Sequence, residues 1–261
     1  MKVGRMVNEL TVLVKEQNLV LHRYSGVSIV KVGDQQKGFE LASNILSSIV
    51  DKKSVLYLSG GQTPKELYSK LTQEESLIPG AVGMVDERFG SRFHENSNEK
   101  MIRDTGFLRY LEILDIPFYP ILQAGLSREE TAREYDAKLR SLQSTFPKHI
   151  GILGIGADGH TAGIPAKFSI FNFQFSISKI YKSTDLVTEY SDTGGKYGER
   201  VTMTFMGLTM MDILLVLVFG SAKKKALELV FSEGSEQEIP GRFYKRPEIA
   251  QKTLVITDQE I

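Results

Sequence analysis

Short runs of apolar, largely β-branched residues alternate with helical segments, and this alternation constrains the fold more than any other feature of the sequence. Residues 27–34, VSIVKVGD, predict a strand that leads to an Asp N-cap, and QQKGFELASNILSSIV then carries an apolar stripe at helical spacing. Further strands are predicted at 54–61, 82–90, 149–155, 200–208 and 212–220. Strands that alternate with helices predict an open, mostly parallel sheet with helices on both faces.

Helical patterns occur at 63–71, 127–142 and 221–231, the last being the final clear helix. Residues 169–178, SIFNFQFSIS, alternate apolar and polar side chains, which predicts a half-buried strand or hairpin arm inserted into the α/β pattern. No linker, internal repeat or low-complexity tract interrupts the chain. We therefore expect a single α/β domain over residues 1–261.

The composition excludes several classes of function. The chain has 32 basic residues (Lys and Arg) and 32 acidic residues (Asp and Glu), so no net positive charge attracts nucleic acid or a membrane surface. A local basic cluster can still hold a small anion. The absence of cysteine excludes disulfides, thiolate metal sites and a cysteine nucleophile. The N-terminal residues lack the apolar core of a signal peptide, and the run 213–220 is too short to span a bilayer. We expect a cytoplasmic protein that is a monomer or a small homo-oligomer.

The turn SGGQTP follows the strand at 54–61 and leads directly into a helix. Gly60 and Gly61 allow close approach of a ligand to the backbone, and the helix start presents N–H groups and the positive end of a dipole. Ser59 and Thr63 add hydroxyl donors. The turn therefore predicts an oxyanion or phosphate cradle, and the alternative is a plain strand–helix turn with Thr63 as N-cap.

The loop DERFG places Asp86, Glu87 and Arg88 after the next strand, where an open sheet binds its ligands. A surface turn held by salt bridges is the alternative. The following HENSN predicts the start of a helix capped by Ser97 or Asn98.

The stretch GIGADGHTAGIPA, 154–166, follows the strand HIGILGI and places Asp158 two residues before His160. Histidine exchanges a proton near neutral pH, and a neighbouring carboxylate can fix its tautomer. This spacing predicts an acid/base group, and a structural histidine in a turn is the alternative.

Three lysines, Lys223, Lys224 and Lys225, stand in the first turn of the helix at 221–231. The helix dipole disfavours cations there unless an anion is bound or the side chains are well solvated. Together, the three lysines, the SGGQTP turn and the pair of Asp158 and His160 predict hydrolysis or isomerisation of a phosphorylated small metabolite. The chain lacks the glycine motifs of dinucleotide and nucleotide sites, and we expect no metal and no cofactor.

The ordered set LSGGQTPKELY, VDERFG, NSN, GILGIGADGHTA, RVTMT and LVFGSAKKKAL resembles the 6-phosphogluconolactonase and glucosamine-6-phosphate isomerase/deaminase superfamily. The resemblance runs from about residue 34 to residue 231, and the strand followed by GxGxDGH is its most specific part. It implies a Rossmann-like α/β fold and sugar 6-phosphate substrates.

Three positions distinguish the branches of this superfamily. Deaminases carry a catalytic glutamate five residues after the histidine, where this chain has Pro165. Arg88 resembles the arginine of the lactonase DER loop, and Arg200 resembles the arginine ahead of a lactonase strand. The resemblance implies a lactonase acting on a phosphorylated sugar lactone; a deaminase-like enzyme and a non-catalytic sugar-phosphate-binding protein are the alternatives.

The resemblance also implies a role for each site residue. His160 would act as general base on a water attacking the lactone carbonyl, and Asp158 would orient His160 or the water. Arg88 and Arg200 would bind the substrate and stabilise the oxyanion, and Asp86 would make a further contact with the substrate. The residues implied to hold the 6-phosphate are Ser59, Gly60, Gly61, Thr63 and Lys223. The chain departs from the lactonase pattern after GHTA, where GIPA replaces the usual SLFP.

Overall fold

The structure is a computed structural model that describes Val14 and residues 19–166, 180–192 and 198–260. The strands are β1 Leu21–Tyr24, β2 Val27–Lys31, β3 Ser54–Leu58, β4 Ala81–Met84, β5 Asp86–Arg88, β6 Lys148–Gly154, β7 Val187–Asp192, β8 Gly198–Met203, β9 Ile213–Val218 and β10 Thr253–Thr257. The helices are α1 Gln35–Ile49, α2 Gln62–Glu74, α3 Asn98–Asp104, α4 Phe107–Ile113, α5 Arg128–Thr145, α6 Phe205–Thr209, α7 Lys224–Phe231 and α8 Pro247–Ala250. Within the described residues, Ser221–Lys223 and Pro240–Lys245 form 3₁₀ turns.

Seven of the described strands form one sheet in the order β1-β2-β10-β9-β6-β3-β4. β1 pairs antiparallel with β2, and the other neighbouring strands pair in parallel. Every residue of β3, β4, β9 and β10 is buried. Because successive side chains of a strand point to opposite faces, this burial requires cover on both faces of the sheet. The predicted fold class, an open and mostly parallel α/β sheet, is confirmed.

Polar caps start several helices where the sequence places them. The Asp34 side chain accepts a hydrogen bond from the Lys37 N–H at 2.9 Å and so caps α1. Ser97 caps α3 in the same way, as predicted. The alternative that Thr63 caps α2 is wrong, since Gly61 is the N-cap and Thr63 lies inside the first turn.

The predicted strand at 82–90 divides into two strands that belong to different sheets. β4 pairs with β3 in the large sheet, whereas β5 joins a small antiparallel sheet of order β5-β8-β7. Val85 lies between them, donating its N–H to Leu58 O at 2.9 Å and accepting from the Met203 N–H at 2.9 Å. One residue is thus hydrogen-bonded to both sheets, and the chain passes there from the first to the second.

The predicted strand at 200–208 is correct only in its first half. β8 ends at Met203, and α6 begins directly afterwards with Thr204 as its N-cap. The Thr204 hydroxyl accepts from the Gly207 N–H at 3.1 Å, which satisfies a donor that the first turn leaves open. A capped helical turn therefore replaces the strand that the apolar run indicated.

One predicted helix and several strands also differ from prediction. The helix predicted at 221–231 begins with a 3₁₀ turn, so Lys223 precedes α7. Strands β1, β7 and β10 were not predicted; β7 belongs to the small sheet, and β10 lies between β2 and β9 in the large sheet. The predicted strand at 169–178 falls outside the described residues. Among the described helices, none combines the length and apolar character needed to cross a bilayer.

Candidate active site

A polar pocket of about 230 Å³ lies at the carboxyl ends of β3, β6 and β9. Parallel strands of an open sheet present their following loops at the same edge, which is why distant motifs meet there. Nine of the ten predicted site residues line the pocket: Ser59, Gly60, Gly61, Thr63, Asp86, Arg88, His160, Arg200 and Lys223. The tenth, Asp158, contacts the pocket through its hydrogen bond to His160. The sequence motifs therefore converge on one site.

Asp158 fixes the orientation of the His160 ring. Its Oδ1 lies 2.6 Å from His160 Nδ1 and also accepts the His160 backbone N–H at 3.1 Å. An ionised carboxylate can only accept, so Nδ1 carries the hydrogen in the neutral ring and Nε2 keeps its lone pair. The ring lies against Gly156, where an added Cβ would stand 2.0 Å from Nδ1. Glycine at 156 is therefore required for this position of the imidazole.

The charge state of Asp158 supports the same hydrogen-bond direction. Partial burial alone raises the pKa of this carboxyl, but the hydrogen bond and charge of His160 outweigh burial and hold the pKa well below its usual range. The His160 side chain remains 47% exposed, so water and substrate can reach it. The pair is thus an ionised acceptor that holds an accessible imidazole.

The residues 59–63, here called the glycine turn, connect β3 to α2. Gly61 has φ of 111°, a conformation that side chains rarely adopt, and no side chain of the described residues caps the helix. The first N–H groups of α2, at Gln62 and Thr63, have no acceptor within the helix. The Ser59 hydroxyl is buried and has no partner among the described residues. These donors, at the positive end of a helix dipole, form a cradle suited to an anion.

Asn98 packs directly behind the glycine turn. A Cβ on Gly60 would lie 1.9 Å from Asn98 Oδ1, so glycine is needed for this approach. The Asn98 Nδ2 donates to Asp86 O at 2.9 Å. Asn98 therefore links the glycine turn to the β5 strand.

The small sheet places two arginines side by side. Arg88 of β5 is directly opposite Arg200 of β8, and both side chains line the pocket. Like charges at such a position destabilise a sheet unless an opposite charge compensates. Asp86 Oδ2 lies 3.3 Å from Arg200 Nη1 and compensates part of this charge. The arginine pair, Arg88 and Arg200, favours an anionic or electron-rich ligand.

Lys223 is the lysine that reaches the pocket. Its Nζ donates to Ile155 O at 2.6 Å, whereas Lys224 and Lys225 are exposed to solvent. Burial lowers the pKa of Lys223, and the charge of Asp158 opposes this effect. Of the three lysines, Lys223 is the one whose side chain lines the pocket.

Glu87 was not assigned to the site from the sequence, although it stands between two assigned residues. It is fully buried and accepts the N–H groups of Arg88, Asn98 and Glu99 at 2.7, 2.7 and 2.8 Å. Burial raises the pKa of Glu87 to about 7, against the lowering effect of these three hydrogen bonds. The carboxylate joins β5 to the start of α3, and only the tertiary pairing shows this.

Two further histidines have structural contacts. His149 Nε2 donates to Phe146 O at 3.0 Å, and its Nδ1 accepts from the Tyr57 hydroxyl at 3.0 Å. His94 Nε2 donates to Arg88 O at 3.0 Å and supports the loop after β5. Within the described residues, no group of three His, Asp or Glu side chains is arranged to hold a metal ion.

The open, mostly parallel sheet and the polar pocket at its carboxyl edge define a doubly wound α/β protein with a small-molecule crevice. Residues 37–254 match the family described as glucosamine-6-phosphate isomerases/6-phosphogluconolactonase. The chain belongs to this family, and the predicted resemblance is confirmed.

Similar proteins carry lactonase and deaminase names. A 6-phosphogluconolactonase of Synechocystis sp. is 30% identical over 217 residues, covering 78% of this chain and 82% of the relative. A 6-phosphogluconolactonase of Rhizobium meliloti is 30% identical over 191 residues, covering 72% and 77%. The structure of 6-phosphogluconolactonase from Plasmodium vivax superposes with a TM-score of 0.73 at 17% identity, covering 97% and 96% of the two chains. A monomeric glucosamine-6-phosphate deaminase superposes with a TM-score of 0.67 at 19% identity, covering 89% and 97%. The two structures show a shared fold.

Proposed function

We propose that this chain is a 6-phosphogluconolactonase, which hydrolyses 6-phosphogluconolactone to 6-phosphogluconate in the cytoplasmic pentose phosphate pathway. The observation that carries the proposal is the meeting of the carboxylate-held His160, the arginine pair and the glycine turn in one pocket of about 230 Å³. The lactonase names of the two relatives at 30% identity support the same substrate.

His160 is the general base of the proposed reaction. With Nδ1 held by Asp158, Nε2 takes a proton from water as the water oxygen attacks the lactone carbonyl carbon. The carbonyl π bond opens to an oxyanion. When the carbonyl re-forms, the bond from carbon to the ring oxygen breaks, and the imidazolium returns the proton to that oxygen. The product is the open-chain hydroxy acid, and the lactone is activated enough to need no covalent nucleophile.

The arginine pair stabilises the oxyanion in this proposal. Arg88 and Arg200 are already fixed before substrate binds, Arg88 by its hydrogen bond to Asn96 O at 2.7 Å and Arg200 by Asp86 at 3.3 Å. Fixed cations that need no reorganisation stabilise developing negative charge most effectively. Asp86 acts here as the group that orients Arg200.

The glycine turn and Lys223 bind the 6-phosphate. The free N–H groups at the start of α2, the buried Ser59 hydroxyl and the Lys223 ammonium are all donors that line the same pocket. The hydrogen bond from Lys223 Nζ to Ile155 O uses one of its three hydrogens, leaving two for a phosphate oxygen.

Two assays on the purified chain test the proposal. The first measures hydrolysis of freshly made 6-phosphogluconolactone, corrected for spontaneous hydrolysis, and the second measures ammonia release from glucosamine 6-phosphate. We expect enzyme-dependent lactone hydrolysis and no ammonia, because a buried Pro165 stands where the deaminases carry their glutamate. Ammonia release would assign the chain to the deaminases. A separate binding measurement decides the remaining case: binding of 6-phosphogluconate with hydrolysis at the spontaneous rate would make the chain a non-catalytic sugar-phosphate-binding protein.

A further inference from the structure

The three residues that follow His160 are each hydrogen-bonded to a hydroxyl group from another part of the chain. We call the hydroxyls of Tyr190, Thr202 and Tyr244 the hydroxyl clamp. The bonded pairs are Tyr244 with the Thr161 hydroxyl at 2.5 Å, Thr202 with Ala162 O, and Tyr190 with Gly163 O. The Thr161 hydroxyl donates to Gly154 O at 3.0 Å, so Tyr244 is the donor in its pair. The clamp therefore holds three consecutive residues of the loop.

The backbone after His160 has a conformation that needs such support. Ala162 has φ of 51° and Gly163 has φ of 67°, both in the left-handed region. For alanine this region is disfavoured, and it persists only where the surroundings determine the conformation. The carbonyl groups of both residues are fixed by clamp hydroxyls. The loop geometry thus depends on contacts made by other elements.

Two of the clamp residues belong to the same small sheet as the arginine pair. Tyr190 of β7 is directly opposite Arg200, which in turn is opposite Arg88. Thr202 lies two residues after Arg200 in β8 and therefore points to the same face. That face carries the arginines and two hydroxyls that hold the His160 loop.

The clamp hydroxyls lie in a buried environment. Tyr190 is 2% exposed, and Thr202 and Tyr244 are fully buried. Buried tyrosine hydroxyls bond to a polar partner, and many such bonds serve only general stability. Here all three partners lie within three residues of His160, so removing a clamp hydroxyl first changes the position of His160.

We propose that Tyr190, Thr202 and Tyr244 are positioning residues that fix His160 relative to the arginine pair. The inference rests on the proposed function, because it concerns the distance between the general base and the groups that stabilise the oxyanion. A displacement of about 1 Å between reacting groups can lower a rate roughly a hundredfold. Removing a clamp hydroxyl should therefore lower kcat and leave binding of the phosphate largely intact.

The test removes each hydroxyl with little change in side-chain volume, using Tyr190→Phe, Thr202→Val and Tyr244→Phe. The matched control is Tyr110→Phe, since the buried Tyr110 hydroxyl donates to a backbone carbonyl, Leu77 O at 2.8 Å, away from the pocket residues. We expect kcat to fall roughly tenfold or more in each clamp variant, with KM and the dissociation constant of 6-phosphogluconate within about twofold of wild type. Thr202→Ser, which keeps the hydroxyl, should restore most of kcat.

A second readout does not depend on turnover. Hydrogen exchange of peptides covering 154–164 reports the loop bonds from Gly156 N to His160 O at 2.8 Å and from Ile164 N to Thr161 O at 2.7 Å. Exchange there should become roughly tenfold faster in the clamp variants and stay unchanged in Tyr110→Phe, since a lost hydrogen bond shifts an equilibrium by about that factor.

The outcomes separate the clamp from the proposed function. If wild type shows no lactone hydrolysis, the proposed function fails, and the exchange of residues 154–164 still decides whether the clamp holds the loop. Wild-type kcat and exchange in the three clamp variants would overturn the inference. An equal loss of kcat and of 6-phosphogluconate affinity would also overturn it, because it would assign the hydroxyls to general stability.

Discussion

Replacing Gly60 by alanine tests the packing that supports the glycine turn. The φ of Gly60 lies outside the left-handed region, so the alanine backbone is acceptable and only the added Cβ matters. That Cβ would stand 1.9 Å from Asn98 Oδ1 and 2.2 Å from Asn98 Cγ, far closer than any real contact. Asn98 must therefore move. Its movement would break the hydrogen bond from Nδ2 to Asp86 O at 2.9 Å.

The expected cost combines two contributions. Overpacking in a well-packed region costs about 1–3 kcal/mol, and the lost hydrogen bond adds about 1 kcal/mol. The free energy of unfolding should thus fall by about 2–4 kcal/mol. For a chain of this size, such a loss lowers Tm by roughly 5–10 °C. The affinity for 6-phosphogluconate should fall as well, because the turn that presents the N–H groups is displaced.

The assay is a double-mutant cycle followed by urea unfolding. Gly60→Ala is measured in wild type and in Asn98→Ala, where the space for the new Cβ is vacant. We expect the substitution to cost less than about 1 kcal/mol in the second background, a coupling within the range seen for residues in contact. Gly33→Ala is the control, since its Cβ would meet only the flexible Lys37 side chain at 3.7 Å. The same cost in both backgrounds would show that the Asn98 side chain does not limit the space at residue 60.

Two further predictions concern Lys223 and Glu87. Lys223→Met should raise KM for the lactone about tenfold with little change in kcat, because Lys223 lines the pocket. The control, Lys225→Met, removes an exposed lysine and should change neither constant. An unaltered KM in Lys223→Met would contradict the proposed phosphate contact of Lys223. The pKa of Glu87 in the folded chain, about 7, lies above the ordinary value of 4.5. Between these two pH values the folded chain therefore keeps a proton on Glu87 that the unfolded chain has lost. Wild type should therefore lose roughly 3 kcal/mol of stability relative to Glu87→Gln as the pH rises from about 4.5 to 7. Urea unfolding across this range measures the difference, and a constant difference would contradict the raised pKa.

The convergence of the motifs could be predicted from the sequence because it follows from a general property of open sheets. Ser59, Asp86, His160 and Lys223 each follow a strand, and the carboxyl ends of parallel strands lie at one edge. Local patterns also identified the caps at Asp34 and Ser97, since a capping side chain bonds within three residues of itself.

The small antiparallel sheet could not be predicted, because long-range hydrogen bonds create it. Nothing local in the run 82–90 shows that Val85 bonds to both Leu58 and Met203. The opposition of Arg88 and Arg200 depends on the register between strands that lie more than a hundred residues apart. The family resemblance implied a substrate contact for each arginine, but the sequence does not show that the two are neighbours.

The supporting residues were missed for the same reason. Glu87 and Asn98 were present in the motifs, but their contacts depend on how α3 packs against β5. Tyr244 lies 83 residues after its partner Thr161, beyond any local pattern. Motifs identify the groups that face the ligand, whereas the structure is needed to find the groups that hold them.

His160→Ala tests whether the His160 imidazole is the general base of lactone hydrolysis. The measurement is the rate of 6-phosphogluconolactone hydrolysis by the variant and by wild type, corrected for the spontaneous reaction, together with the affinity of each for 6-phosphogluconate. Loss of the general base should lower kcat about a hundredfold or more, while the affinity changes only a few fold because the glycine turn and Lys223 are intact. A variant that hydrolyses the lactone near the wild-type rate would contradict the assignment of His160 as the base.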